Sequence, residues 1–344
     1  MTKIVLILDA WEPIIGGGQK LFLNLINGLV KHHRCHITLI TRALKDEKNK
    51  SFANNQTLLN GQFKIIRLGP VSHFHNPVAR FWFTLQSAVV ALSYKPDIFI
   101  ASSFLPGITL QLIKLVNRTP NALVAIGFGA KSRFYKFLEK IITQVFKYDL
   151  LITDDFAFYQ KINAKRKIKF IVNGVDFPKT ATTEKYPNFT YLFIGRNEPR
   201  KGIPILKESF KVIHKLYPDT QLKLFGPGHN PVSTTKLQQE LSKAHCLVLP
   251  SLKEGHPLIL FEAFSHKLPV IATRVGSVPK FVTKDTGYLI NPNNVNDLIV
   301  AMKLAYKNPS LSILGQNGYQ LVSGHYTWAK TVDNYYHALS SLLQ

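Results

Sequence analysis

Four side chains in this 344-residue sequence have the types and spacing for group-transfer chemistry: Arg196, Lys201, Glu254 and Glu262. Glu254 lies in Pro250-Ser251-Leu252-Lys253-Glu254-Gly255-His256-Pro257, ahead of a helix expected to start near Pro257, since proline is tolerated in a first turn. Glu262 falls on that helix. A turn and about one and a half helical turns then separate the two carboxylates, too far for one acid/base pair. They suit two hydroxyl-binding positions along an extended ligand. The free N–H groups of the helix start between them suit phosphate oxygens. Arg196 and Lys201 belong to Gly195-Arg196-Asn197-Glu198-Pro199-Arg200-Lys201-Gly202, which leaves a strand and enters a helix over 203–216. Two cations at a strand end would neutralise a departing diphosphate, each charge-assisted hydrogen bond contributing roughly 1.5–3 kcal/mol. Taken singly, each group also has an ordinary reading: a capping acid, a solvated helix face or a basic loop.

A third cluster is Gly16-Gly17-Gly18-Gln19. The next glycine is Gly28, so G-x-G-x-x-G is not matched and a dinucleotide site gains little support. The turn allows a ligand close approach to the backbone; a tight turn without a ligand is the other reading.

The elements that must hold these groups alternate. Residues 3–8 form a continuous apolar run, as in a strand buried on both faces. The glycine turn follows, and then Leu21, Phe22, Leu25, Leu29 and Val30 recur at helical spacing. Further strand-like runs lie at 36–40, 63–68, 97–101, 122–126, 150–153 and 169–172. A polar, proline-bearing stretch over 177–188 reads as a linker. The pattern then restarts with strands at 191–195, 221–225, 246–249, 269–272 and 287–290. Alternating strands and helices imply parallel sheets covered on both faces, hence two Rossmann-like α/β domains. Ligands of such sheets bind at the C-terminal strand ends, so two facing domains would form a cleft.

Composition narrows the class. An apolar content of 46% is enough for two cores. The two cysteines, Cys35 and Cys246, sit in apolar strand-like runs and read as small buried hydrophobes, with no disulfide framework. No run reaches the roughly 18–20 apolar residues of a membrane span, and the opening run stops at Asp9, so the expected location is cytoplasmic. Forty-three Lys and Arg against 20 acids leave +23. Up to Lys165 the counts are 21 and 9, or +12, and the remaining 22 and 11 give +11. Such a field attracts polyanions, among them nucleotide diphosphates and anionic lipid. A nucleic-acid-binding module would concentrate this charge in one patch; here it is spread over both halves, and no nucleic acid is expected.

Together the clusters resemble the retaining glycosyltransferases of family 4, which have the GT-B fold of two Rossmann-like domains. The matches fall in family order: Gly16-Gly17-Gly18, Asn173-Gly174-Val175-Asp176, Gly195-Arg196 with Lys201-Gly202, and Glu254-Gly255 with Glu262-Ala263. Pro269-Val270-Ile271-Ala272 with Gly276, Gly287-Tyr288-Leu289-Ile290 and Trp328 complete the set. The resemblance is dense in the second half and thin in the first. It implies an acceptor-side domain over 1–178, with a C-terminal helix at 329–344 packing back on it, and a donor-binding domain over 179–328. It implies that Arg196 and Lys201 bind the donor diphosphate, that Glu254 contacts the transferred sugar, and that Glu262 holds the nucleotide ribose. Gly195, Gly255, His256, Pro257, Leu258 and Ile259 would surround sugar and phosphates, with the Gly16–18 loop beside them. The substrate would be a nucleotide-diphosphate sugar and the acceptor a glycan or a lipid-linked glycan. No metal or other cofactor is expected, in keeping with the lack of an Asp-x-Asp site; Asp154-Asp155 are adjacent and read as a helix start.

The chain also departs from the pattern. Gly127-Phe128-Gly129 stands where many members place a histidine, and Lys280 where a glutamate is common. Between Gly228 and His245 the chain is short, which leaves the nucleobase open. These departures keep alive a GT-B-like protein that binds the donor, or serves as a partner subunit, without transfer. Over 131–147, Phe134, Phe137, Leu138, Ile141, Ile142, Val145 and Phe146 recur at helical spacing among five basic residues. Such a helix could lie on an anionic membrane, peripheral on its inner face, or pack on the sheet as an ordinary amphipathic helix.

Overall fold

Past Lys3, every residue of the first strand, β1 (Lys3–Leu8), is buried, because helices cover both faces of its sheet. Side chains alternate between those faces. Ile4, Leu6 and Leu8 pack with Leu21, Leu25 and Leu29 on one side. Val5 and Ile7 pack with Phe83, Leu110 and Ile113 on the other. The computed structural model describes every residue except 14–16, 47–48, 126–136, 138–139, 142–144, 164–165 and 179–183.

The chain divides into two compact units, residues 1–172 with 328–344, and residues 173–327. In the first, β1 leads to α1 (Gly17–His33), β2 (His36–Lys45), β3 (Ser51–Phe52), β4 (Gln56–Leu58) and β5 (Phe63–Ser72). Then come α2 (Pro77–Ser93), β6 (Ile98–Ser102), α3 (Phe104–Val116), β7 (Asn121–Val124), β8 (Leu150–Thr153), α4 (Phe156–Asn163) and β9 (Ile168–Phe170). The sheet runs β4-β5-β2-β1-β6-β7-β8-β9, with β3 on β2. All its pairings are parallel except the short β3 and β4, which run antiparallel to β2 and β5. As expected for adjacent acids at a helix start, the Asp155 carboxylate accepts the N–H of Phe158 in the first turn of α4.

The second unit holds β10 (Phe189–Ile194), α5 (Ile203–Leu216), β11 (Thr220–Phe225), α6 (Thr234–Lys243), β12 (Cys246–Leu249) and α7 (Leu258–Ser265). It closes with β13 (Val270–Thr273), β14 (Gly287–Ile290), α8 (Val295–Lys307) and α9 (Leu311–His325). Its sheet is fully parallel, in the order β11-β10-β12-β13-β14. Tyr191 and Phe193 of β10 pack beneath Leu206 and Ile213 of α5 and Leu298 and Met302 of α8. The buried Tyr191 hydroxyl donates to the Met302 carbonyl at 2.7 Å, so the one polar atom on that face is satisfied. Residues 173–178 pack with this unit: the Val175 N–H donates to the Tyr326 carbonyl at 3.0 Å, and the Phe177 ring meets Tyr319 edge-on.

The last helix, α10 (Trp328–Ser340), belongs to the first unit. Val332, Tyr335 and Leu339 complete the core against α1. Cys35 and Cys246 are free and buried. Burial lifts the Cys35 thiol to about 11 and pushes Cys246 up further, so both behave as small core hydrophobes. No helix among the described residues is long and apolar enough to cross a membrane.

Candidate active site

Within the second unit, β10 has β11 on one side and β12 on the other, so strand order reverses there. That is where open α/β sheets leave a crevice at their carboxyl ends. Two loops leave the sheet at this point, residues 195–202 after β10 and residues 250–257 after β12. A main-chain bond joins them, the Leu252 N–H donating to the Arg200 carbonyl at 2.7 Å. Pro199–Lys201 forms a single 3-10 turn, capped by Gly202 in the left-handed region at φ 68°. The turn brings Lys201 and Arg200, not Arg196, onto Glu254. Lys201 Nζ lies 2.6 Å from Glu254 Oε1, and Arg200 Nη1 lies 3.3 Å from Glu254 Oε2. The Ser251 hydroxyl donates to Glu254 Oε1 at 2.7 Å. Arg200 Nε also holds Glu198, at 2.7 Å. The Glu254 and Lys201 side chains are only 7% and 13% exposed, so this pair is largely removed from solvent screening.

The bonding leaves specific capacity. A carboxylate accepts about four hydrogen bonds, and Glu254 spends two on Oε1 and one on Oε2. Its second oxygen can accept one more, from a hydroxyl. The Lys201 ammonium has about three donors and gives one to Glu254. The remainder can meet an anion.

The helix expected near Pro257 begins at Leu258, with Pro257 as N-cap. Pro257 offers no side-chain cap and the first turn carries no acid, so the N–H groups at Leu258 and Ile259 are suited to an anion beyond the helix end. Glu262 is the fifth residue of α7, about 6 Å along the axis from Leu258. Its carbonyl accepts from His266 Nδ1 at 2.8 Å and from Ser265 Oγ at 2.9 Å. The loop after β13 closes the other side. Ser277 donates both its N–H and its hydroxyl to the Gly255 carbonyl, at 3.0 and 2.8 Å.

His256 sits between these loops, its ring 4.7 Å from Phe261 and 5.5 Å from Phe281. Since Ser277 Oγ–H is committed to Gly255, Nδ1 of His256 carries the proton and donates to Ser277 Oγ at 3.2 Å. Nε2 is buried with no hydrogen-bond partner among the described residues. Burial drops this imidazole to about 3, so it is neutral at physiological pH and cannot act there as a general acid. Burial lowers His245 and His266 as well. The unfolded chain takes up protons near pH 6.5 where the folded chain does not. The stabilisation is therefore complete above about pH 6.5 and declines as pH falls toward the folded values. We expect the melting temperature to fall steadily from pH 7.5 to pH 5, and His256→Asn to flatten that slope. A melting temperature that holds or rises over the same range would contradict it.

The other expected site residues are placed as follows. Arg196 is 69% exposed, its guanidinium 3.7 Å from Glu198. The Gly195 N–H donates to the Phe225 carbonyl across the end of the sheet at 2.9 Å. Gly17 and Gly18 open α1 in the first unit, and a Cβ on Gly18 would meet nothing within 4 Å. Gly16 lies outside the described residues, as do Gly127-Phe128-Gly129 and most of the helix expected over 131–147. A single helix, α6, fills the short stretch between Gly228 and His245.

Arg200, Ser251 and Ser277 were not singled out from the sequence, although the first two lie inside motifs that were and Ser277 directly follows Gly276. A second polar cluster left no sequence signal at all. At the carboxyl end of β1, Asp9 holds Arg42 Nε at 2.9 Å and Arg80 Nη2 at 2.8 Å. Arg42 also donates to the Phe74 carbonyl at 2.7 Å. Asp9 and Arg80 line a cavity of about 320 Å³ with Gly18, Gln19, Phe74 and Ser102. It lies between β1 and β6, where the strand order of the first sheet reverses.

Residues 188–308 match the family model described as Glycosyl transferases group 1. An uncharacterized glycosyltransferase of Haemophilus influenzae is 27% identical over 174 residues, 44% of this chain and 49% of the relative. The chain spans about half the length of the curated relatives it matches. The sucrose-phosphate synthase of Thermosynechococcus elongatus superposes with a TM-score of 0.80 at 19% identity, covering 99% of both chains. Anabaena Alr3699/HepE in complex with UDP gives 0.68 at 16% identity, covering 98% of this chain and all of that one. At these identities the likeness is one of fold, a two-domain GT-B-like α/β fold. Over residues 188–308 the chain is thus similar to group 1 glycosyl transferases, and in overall fold to solved glycosyltransferase-type structures.

Proposed function

We propose that this chain catalyses retaining, metal-independent transfer of a hexose-type sugar from a nucleotide-diphosphate sugar to a glycan or lipid-linked acceptor. The observation that carries the reading is the buried Lys201–Glu254 contact, with Arg200 and Ser251 on the same carboxylate, at the strand-order reversal beside the start of α7. Lys201, with Arg196 at the exposed rim, binds the diphosphate. The first-turn N–H groups of α7 take further phosphate oxygens. Glu254 Oε2 accepts a hydroxyl of the sugar, and Glu262 takes the ribose. The acceptor hydroxyl attacks the anomeric carbon on the face from which the diphosphate leaves. Its proton passes to the leaving phosphate oxygen, and the products are the glycoside and a nucleoside diphosphate. The protein's part is positioning and stabilisation of the leaving charge, with no step requiring a metal.

Thermal melts against a panel of nucleotide sugars, run in excess chelator, test this. The true donor at about 100 times its Kd adds about 2.7 kcal/mol of stability, a rise of roughly 5 °C. With acceptor present, nucleoside diphosphate is released and the new linkage keeps the donor's anomeric configuration. If no nucleotide sugar raises the melting temperature, the reading fails. If one does and no acceptor yields product, binding without transfer is the correct description.

A further inference from the structure

Helix α2 has two unlike faces. Ala79, Phe83, Ser87 and Ala91 are buried against the sheet and α3. On the opposite side Val78, Phe81, Trp82, Leu85 and Val89 are between 40% and 72% exposed. At about 100° per residue these five fall within an arc of about 100°, a continuous outward stripe. Single exposed hydrophobes are ordinary on a soluble protein, but an unbroken stripe edged by a phenylalanine and a tryptophan is not.

We infer that this stripe is a docking surface for an anionic lipid bilayer, on which α2 lies in the plane of the interface. The charge pattern selects this occupant. The helix holds no acidic residue. The unit that carries α2, residues 1–172 with 328–344, has 25 Lys and Arg against 10 acids in its sequence, a balance of +15. A unit this basic is drawn to an anionic leaflet, where each cation near the membrane surface adds to binding. The Trp82 and Phe81 rings match the interfacial zone between headgroups and acyl chains. A second copy of the chain is disfavoured as occupant, because each copy carries +23 and the two would repel. Since no described helix can cross the bilayer, docking on its surface is the mode available to α2. The inference stands apart from sugar transfer, since lipid binding is read without any donor.

The test is flotation of the intact chain with phosphatidylcholine vesicles, with and without phosphatidylglycerol. The wild-type chain should float with the anionic vesicles at low salt and much less with the neutral ones. The double variant Phe81→Ser, Trp82→Ser should lower the partition coefficient about 10-fold or more, with a melting temperature within about 2 °C of wild type. If that variant is poorly folded, Val78→Ser with Val89→Ser serves instead, with the same expectation. Emission from Trp82 should shift to the blue on binding, against a steady background from the buried Trp11 and the partly buried Trp328, and the shift should vanish in Phe81→Ser, Trp82→Ser. Three results would overturn the inference: no flotation with anionic vesicles at low salt, flotation that both double variants retain, or a wild-type dimer that the variants disperse.

Discussion

Replacing Lys201 by alanine lowers kcat/KM by about 100-fold or more, as expected for the loss of one preorganised donor to a developing negative charge. The argument begins with burial. Lys201 is 13% exposed and Glu254 7%, so their 2.6 Å contact lies where charges interact strongly. The substitution removes the ammonium that faces the leaving diphosphate. It also leaves Glu254 with only Arg200 and Ser251, and breaking a buried pair from one side costs about 3–5 kcal/mol. The two consequences can be separated. In the double variant Lys201→Ala, Glu254→Gln the stranded charge is gone, so stability recovers in part while turnover does not. Stability is read from melts and turnover from release of nucleoside diphosphate. Near-normal kcat/KM in Lys201→Ala would remove this residue from the chemistry.

Gly202→Ala should be the most destabilising single methyl in the second unit's site, by about 3 kcal/mol or more. Gly202 has φ 68°, a region that costs any other residue strain. A Cβ there would also run into the carbonyl oxygen of Pro250. That oxygen is main chain at the end of β12, so relief requires moving the very loop that carries Ser251 and Glu254. The expected melting temperature is roughly 6–12 °C lower, with activity falling alongside. Gly18→Ala is the control, since a methyl there meets open space. An unchanged melting temperature in Gly202→Ala would show that the crossing of the two loops does not fix the site.

The parallel strands were legible because a strand buried on both faces is apolar at every position, as in β1 and β12. The helix after the basic loop was legible to the residue, Ile203–Leu216, because it is strongly two-sided. The antiparallel strands β3 and β4 were not, since they are short and mostly exposed and show no apolar period. At the site, the sequence offered Arg196 and Lys201 as cations for a diphosphate, without Arg200 and without pairing any of the three with Glu254. The 3-10 turn and the left-handed glycine decide among them, and neither is readable from residue types alone. The Asp9–Arg42–Arg80 cluster joins positions 33 and 71 apart, so only the tertiary fold brings it together. His256 looked like a ligand-contacting residue; its packing against Phe261 and Phe281, which holds it neutral, is equally a product of distant segments.

The return of α10 to the first unit also fixes an order of events as the chain is made. The second unit is one uninterrupted stretch, residues 173–327, whereas the first is split around it. Emerging from a ribosome, the core that α1 forms on one face of the sheet built on β1 stays incomplete until residues 328–340 have been translated, and Leu25 and Leu29 wait for Val332 and Tyr335. The later-made unit is thus able to close before the earlier one does, the reverse of the usual N-terminal-first sequence. In that interval the nascent first unit is the natural client for a chaperone.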